Sequence, residues 1–161
     1  MKRRDCLKHM GTMSQGLWFS IALPFAQPLA HTPFPQWKVY RKLHLFIVVN
    51  REDVVAYELG SEIAHTLADE IPESRARITR AGDSLRLASL ISTQQLDVAL
   101  LTRSELTAWQ NHQAPYDQLQ ATGLKELFAV ENGDEDYVLI SRDDFFPEHA
   151  TWIRETLKAH L

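Results

Sequence analysis

Leu43-His44-Leu45-Phe46-Ile47-Val48-Val49-Asn50 is the stretch from which the fold is read. It is β-branched, almost continuously apolar and closed by an Asn, the pattern of a strand buried on both faces of a parallel sheet. It predicts the central strand. Immediately downstream, Val54 to Ile71 recurs at helical spacing: Val55, Leu59, Ile63, Thr66, Leu67 and Glu70 separate into an apolar stripe and a wet face, and Pro72 stops the helix. Arg75 to Arg80 alternates around Ala76, Ile78 and the following Ala81, as a shorter strand nearer a sheet edge does. Gly82-Asp83-Ser84 supplies a turn and an N-cap, and Leu85, Leu87, Ala88, Leu90 and Ile91 give the next helix its buried side.

The pattern then repeats. Leu96-Asp97-Val98-Ala99-Leu100-Leu101 reads as another buried strand, followed by a helix capped near Thr102 or Ser104 and running to about Gln110. Three strand-helix units in succession predict an α/β fold with a three-layer, mostly parallel sheet and right-handed crossovers. After a loop around Pro115 and Gly123, Leu127 to Glu131 and Tyr137 to Ser141 form two strands joined by Asn132-Gly133-Asp134-Glu135, and Asn-Gly is a strong hairpin signal. A last helix begins near Pro147 and turns Ala150, Ile153 and Leu157 inward.

Upstream of the strand the chain changes character. Residues 1–30 read as a removable export signal: Lys2, Arg3, Arg4 and Lys8 lead a weakly apolar stretch, Met10 to Leu29, that holds no Lys, Arg, Asp or Glu. The Arg3-Arg4 pair followed by a spacer, an apolar pair and Lys8 has the layout of a twin-arginine signal, with an ordinary secretory signal or a retained anchor as alternatives. Pro24 and Pro28 argue against a retained helix. The expected cleavage follows Ala30, or else Ala26, and the expected location is the periplasm. Residues 31–42, with Pro33, Pro35, Trp37 and Tyr40, form an extended lead-in whose aromatics are expected to pack on the domain, which occupies residues 43–161.

Removal of that signal makes the chain acidic. The whole sequence carries 17 Lys and Arg against 21 Asp and Glu; losing Lys2, Arg3, Arg4, Lys8 and Asp5 leaves 13 against 20, a net charge of −7. Such a domain lacks the clustered positive charge that nucleic acid or anionic lipid requires, so those partners are excluded. The single cysteine, Cys6, lies within the signal, so the processed chain has no disulfide and no thiolate metal site. The remaining 131 residues suffice for one core but not for two full lobes.

Three segments carry a family resemblance. Tyr57-Glu58-Leu59-Gly60-Ser61-Glu62-Ile63-Ala64 follows the first strand as a tyrosine-glycine helix, Ala81-Gly82-Asp83-Ser84-Leu85-Arg86-Leu87 is a glycine-serine turn leading into a helix, and Leu96-Asp97-Val98-Ala99-Leu100-Leu101 is like a "gxaDlal" strand. With the closing Tyr137-Val138-Leu139-Ile140-Ser141-Arg142-Asp143-Asp144, they resemble the TAXI family of TRAP-transporter receptors, which are periplasmic solute-binding proteins. The resemblance implies one lobe of a type II periplasmic-binding-protein fold. Members have two lobes and clamp a solute between them, whereas this chain has length for one. Their glycine-rich loop after the first strand is here Asn50-Arg51-Glu52-Asp53, which sets bulky charged side chains in place of exposed backbone amides.

In open α/β sheets ligands sit beyond the carboxyl ends of the strands. That rim is expected to hold Asn50 and Arg51, then Gly82, Asp83 and Ser84, then Thr102 and Arg103, with Tyr57 reaching in from the first helix. Helix N-terminal amides and the two guanidinium groups are the chemistry an organic anion needs. Against this stand plain helix capping, surface charge, and a tyrosine that merely covers the core. Glu62, His65 and Asp69 share one helix face, but nothing completes a metal site, and a surface charge stripe is the preferred reading. The acidic run Glu131 to Asp136 is read as a solvated turn, without the ligand register of a calcium loop. No catalytic constellation, phosphate loop or cofactor motif stands out. The expected function is therefore non-catalytic binding of a small organic anion or a periplasmic protein, with a homodimer or a membrane transporter subunit as possible partners. The alternative is an accessory or assembly factor for an exported redox enzyme.

Overall fold

The computed structural model describes residues 44–121, 123–133 and 135–161. The expected signal, the lead-in and Leu43 lie outside the described residues. Five strands and four helices follow in the order β1 (Phe46–Asn50), α1 (Val54–Glu70), β2 (Arg77–Ala81), α2 (Ser84–Ser92), β3 (Val98–Thr102), α3 (Arg103–Gln110), β4 (Leu124–Asn132), β5 (Glu135–Arg142) and α4 (Pro147–His160), with a 3-10 turn at Pro72–Ser74. Among the described residues no helix is long and apolar enough to cross a membrane.

The strands form one sheet in the order β2-β1-β3-β5-β4. β1 pairs in parallel with β2 (Val48 opposite Thr79) and with β3 (Val48 opposite Ala99), as strands separated by helices should. β5 is antiparallel to both of its neighbours, β3 and β4. The fold is thus α/β with a mixed sheet, which corrects the expectation of a mostly parallel one. Its cause is local. The Asn132–Glu135 turn closes a hairpin, so β4 and β5 must run in opposite directions, and β5 then enters between β3 and β4. β1 is internal but not central; β3 takes the middle place and is buried at all five positions.

Period-two alternation sends Ile47 and Val49 to one face and Val48 to the other, and each face is covered. α1 contributes Ala56, Ile63, Ala64 and Leu67, and α4 contributes Ala150, Ile153 and Leu157, to the first core. α2 and α3 close the second with Leu87, Ala88, Ile91, Leu106 and Trp109. Gly60 lets α1 approach the sheet: a Cβ there would lie 2.8 Å from Val49 Cγ1. Tyr116, in the loop after α3, is buried and stacks on Trp109 with ring centroids 6.4 Å apart.

Candidate functional site

Every strand-to-helix loop of the parallel half ends at the same edge of the sheet. Asn50 lies opposite Ala81, and Thr102 lies opposite Tyr137 on β5, so the β4–β5 turn joins that edge as well. The fold therefore gathers the eight residues singled out from sequence: Asn50, Arg51, Gly82, Asp83, Ser84, Thr102 and Arg103 on the loops, and Tyr57 one turn into α1. It also brings in Asp53, Glu135 and Tyr137.

At the start of each helix a capping side chain already holds one of the amides on which an anion would rest. Asp53 caps α1 by accepting from the Ala56 amide at 2.9 Å, and Asp83 caps α2 by accepting from the Arg86 amide at 2.6 Å. Thr102 and Glu105 form a reciprocal capping box on α3, with bonds of 3.2 and 3.1 Å. Asn50 accepts from the Glu52 amide at 3.0 Å, which shapes the turn after β1. The guanidinium of Arg103 forks onto Glu126, with bonds of 2.9 and 3.3 Å, and that partner holds it above its ordinary range. Tyr57 lies under Arg80, whose guanidinium carbon is 5.1 Å from the ring centre. Arg51 is exposed and keeps its backbone amide on the Ala81 carbonyl. The Ser84 hydroxyl stands beside that of buried Tyr116.

Besides the shared apolar core, a hydrogen bond ties the antiparallel half of the sheet to the start of the first helix. The Tyr137 hydroxyl donates to the Asp53 carboxylate, 3.0 Å from Oδ2 and 3.2 Å from Oδ1. Burial first, and that hydrogen bond second, push the Tyr137 phenol up to about 12. Beside it, the Ser104 hydroxyl donates to Glu135 at 3.1 Å. The rim is consequently rich in carboxylates, several of them bonded within it. It also exposes apolar side chains in the first turns of α1 and α2: Val54 at 67%, Leu85 at 39% and Tyr57 at 38%.

The rim has an open pocket of about 460 Å³ between Arg103, Ser104, Glu135 and Asp136, and a more enclosed one lies at the opposite end of the sheet. A cavity of about 430 Å³ opens there between the start of β1, the residues before β3 and the segment running from β5 into α4. Its wall includes an aromatic row in which His149 is centred 5.2 Å from Phe146 and 5.7 Å from Trp152. Arg142 sits at its base between Asp97, 3.0 Å from Nη1, and Asp144. Partial burial raises the Asp97 carboxyl more than Arg142 lowers it, whereas the hydrogen bond from Arg142 lowers that of Asp144. The sequence reading passed over this end. Its signal was Phe146, His149 and Trp152 at spacings of three on the face of α4 that Ala150, Ile153 and Leu157 leave outside the core.

Glu62, His65 and Asp69 are exposed on α1, and among the described residues no group of three or more His, Cys, Asp and Glu is placed to hold a metal. No protein-family model matches this chain, and no curated protein matches it.

Proposed function

We propose that this chain is an exported, non-catalytic binding protein of the periplasm, built as one lobe of the type II periplasmic-binding-protein fold and related to TAXI receptors, whose rim docks a protein. The gathering of the loops at one sheet edge supports the first part. Four of the five strands run in one direction, and helices lie on both faces. The choice of a protein over a small organic anion rests on one observation: the rim leaves Val54, Leu85 and Tyr57 exposed while the carboxylates of Asp53 and Asp83 stand at the starts of its first two helices. An anion would meet carboxylates; an apolar patch on a partner would meet its complement. The partner we infer is a different chain that offers an apolar patch with a basic border to Glu52, Asp83, Glu135 and Asp136. The candidates for that partner are a transporter subunit and an exported redox enzyme.

The test places a photo-crosslinking residue at Val54 or Leu85 in exporting cells, with Glu155 on α4 as the control position. One defined adduct at the rim positions, absent at the control, is expected, together with no thermal stabilisation by dicarboxylates or amino acids. Stabilisation by a dicarboxylate that disappears in Arg51→Ala would instead restore the small-anion reading.

A further inference from the structure

The aromatic cavity at the far end of the sheet has a charge that selects its occupant. Arg142 is the one Lys or Arg among its described lining residues, and each guanidinium nitrogen already faces a carboxylate: Nη1 faces Asp97 at 3.0 Å, Nε donates to Asp144 at 2.8 Å, and Nη2 also bonds Asp144. A ligand carboxylate or phosphate would have to displace one of them. Glu73 adds a third acid, so among the described lining residues, the histidines apart, one positive group stands against three negative ones. The apolar part of the wall is aromatic, with Phe145, Phe146 and Trp152 lining the same space. Phe146 is 68% exposed and Trp152 53%, although both belong to a segment whose neighbours Ala150 and Ile153 are buried. Aromatic faces and surplus carboxylate favour the same ligand charge, because the negative face of the ring and the acid both attract a cation. The volume, about 430 Å³, lies within the usual range for small-molecule sites.

We propose that this cavity binds an organic cation with an apolar body, of the substituted-ammonium class, its charged head beside Asp97 and Asp144 and its alkyl groups against Trp152 and Phe146. An inorganic cation would leave the aromatic wall wet, and a neutral apolar molecule would leave the surplus carboxylates unanswered. A substituted ammonium satisfies both parts of the wall at once. The site is separate from the rim and independent of what docks there.

Isothermal titration of the full-length protein with choline and with its uncharged carbon isostere, 3,3-dimethylbutan-1-ol, tests this. Choline is expected to bind about tenfold or more tightly than the isostere, as the cation–π and carboxylate attraction together imply. Trp152→Ala and Asp97→Asn are each expected to weaken choline about tenfold, and Phe146→Ala serves if either melts well below the parent. Asp53→Asn, at the rim, should leave choline binding unchanged. Equal binding of choline and the isostere would overturn the proposal, as would no heat from choline, or an affinity unaltered in all three cavity variants.

Discussion

Replacing Tyr137 by Phe removes one oxygen and nothing else, yet it cuts the hydrogen bond between β5 and the N-cap of α1. Tyr137 is buried, and its hydroxyl lies 3.0 Å from an Asp53 oxygen. Hydrogen bonds to charged groups contribute about 1.5–3 kcal/mol; Asp53 is half-buried, and water at the rim weakens the bond, so the lower end applies, about 1.5 kcal/mol. For a domain of this size that lowers the melting midpoint by about 5 °C. Asp53→Ala loses the same bond together with the helix cap, about 2–3 kcal/mol in all. In the Asp53→Ala background, Tyr137→Phe should cost nothing further, because the hydroxyl has already lost its acceptor. Urea denaturation with an unchanged slope is the assay. The alkaline limb gives a second readout. The folded phenol holds its proton up to about 12, while in the unfolded chain it has the ordinary value of 10.0. The protonated fold is therefore favoured: the contribution is complete below pH 10 and is lost as pH rises from there through about 12. Tyr137→Phe should flatten that decline but not abolish it, since burial raises Tyr116 too. Additive single and double variants, or a Phe variant whose alkaline limb matches the parent, would refute this reasoning.

Gly60→Ala forces a Cβ to within 2.8 Å of Val49 Cγ1 and 3.2 Å of Ile78 Cδ1. Overpacking of about 1–3 kcal/mol outweighs a helix-propensity gain of about 1 kcal/mol, so a net loss of about 1 kcal/mol is expected in a thermal melt. Adding Val49→Ala should make the double variant more stable than the two single losses predict, and a stabilised Gly60→Ala would contradict the close approach of α1 to the sheet. Thr102→Ala removes one arm of the α3 capping box and should cost about 1 kcal/mol, whereas Thr102→Ser, which keeps an oxygen for the Glu105 amide, should cost much less in the same denaturation series.

Element positions were legible because period and punctuation are local. The apolar run ending at Asn50, the helical stripe ended by Pro72, the Asp83 cap and the Asn132-Gly133 turn each describe a few neighbouring residues, and each element was found within about three residues of its expected place. The parallel pairing of β1, β2 and β3 follows from the intervening helices. The rim residues were legible for the same reason, since consecutive strands of one direction must end at one edge. Their chemistry was legible only in part: the caps at Asp83 and Thr102 were expected, whereas the Tyr137 bond to Asp53 and the Arg103 fork onto Glu126 join residues far apart along the chain.

The sequence by itself determined where the chain turns and, except for Leu85, which was expected on the buried side of α2 but lies exposed in its first turn, which side chains face a core, because alternation along a strand and recurrence along a helix are written in neighbouring residues. Only the tertiary structure decided that β5 enters between β3 and β4, that Tyr137 reaches Asp53 across 84 positions, and that Arg142 meets Asp97 under a row of aromatic rings at the far end of the sheet. Those outcomes depend on which strand edges pair and how closely the helices pack. They are properties of segments distant along the chain, settled by the joint burial of two apolar faces rather than by any local pattern.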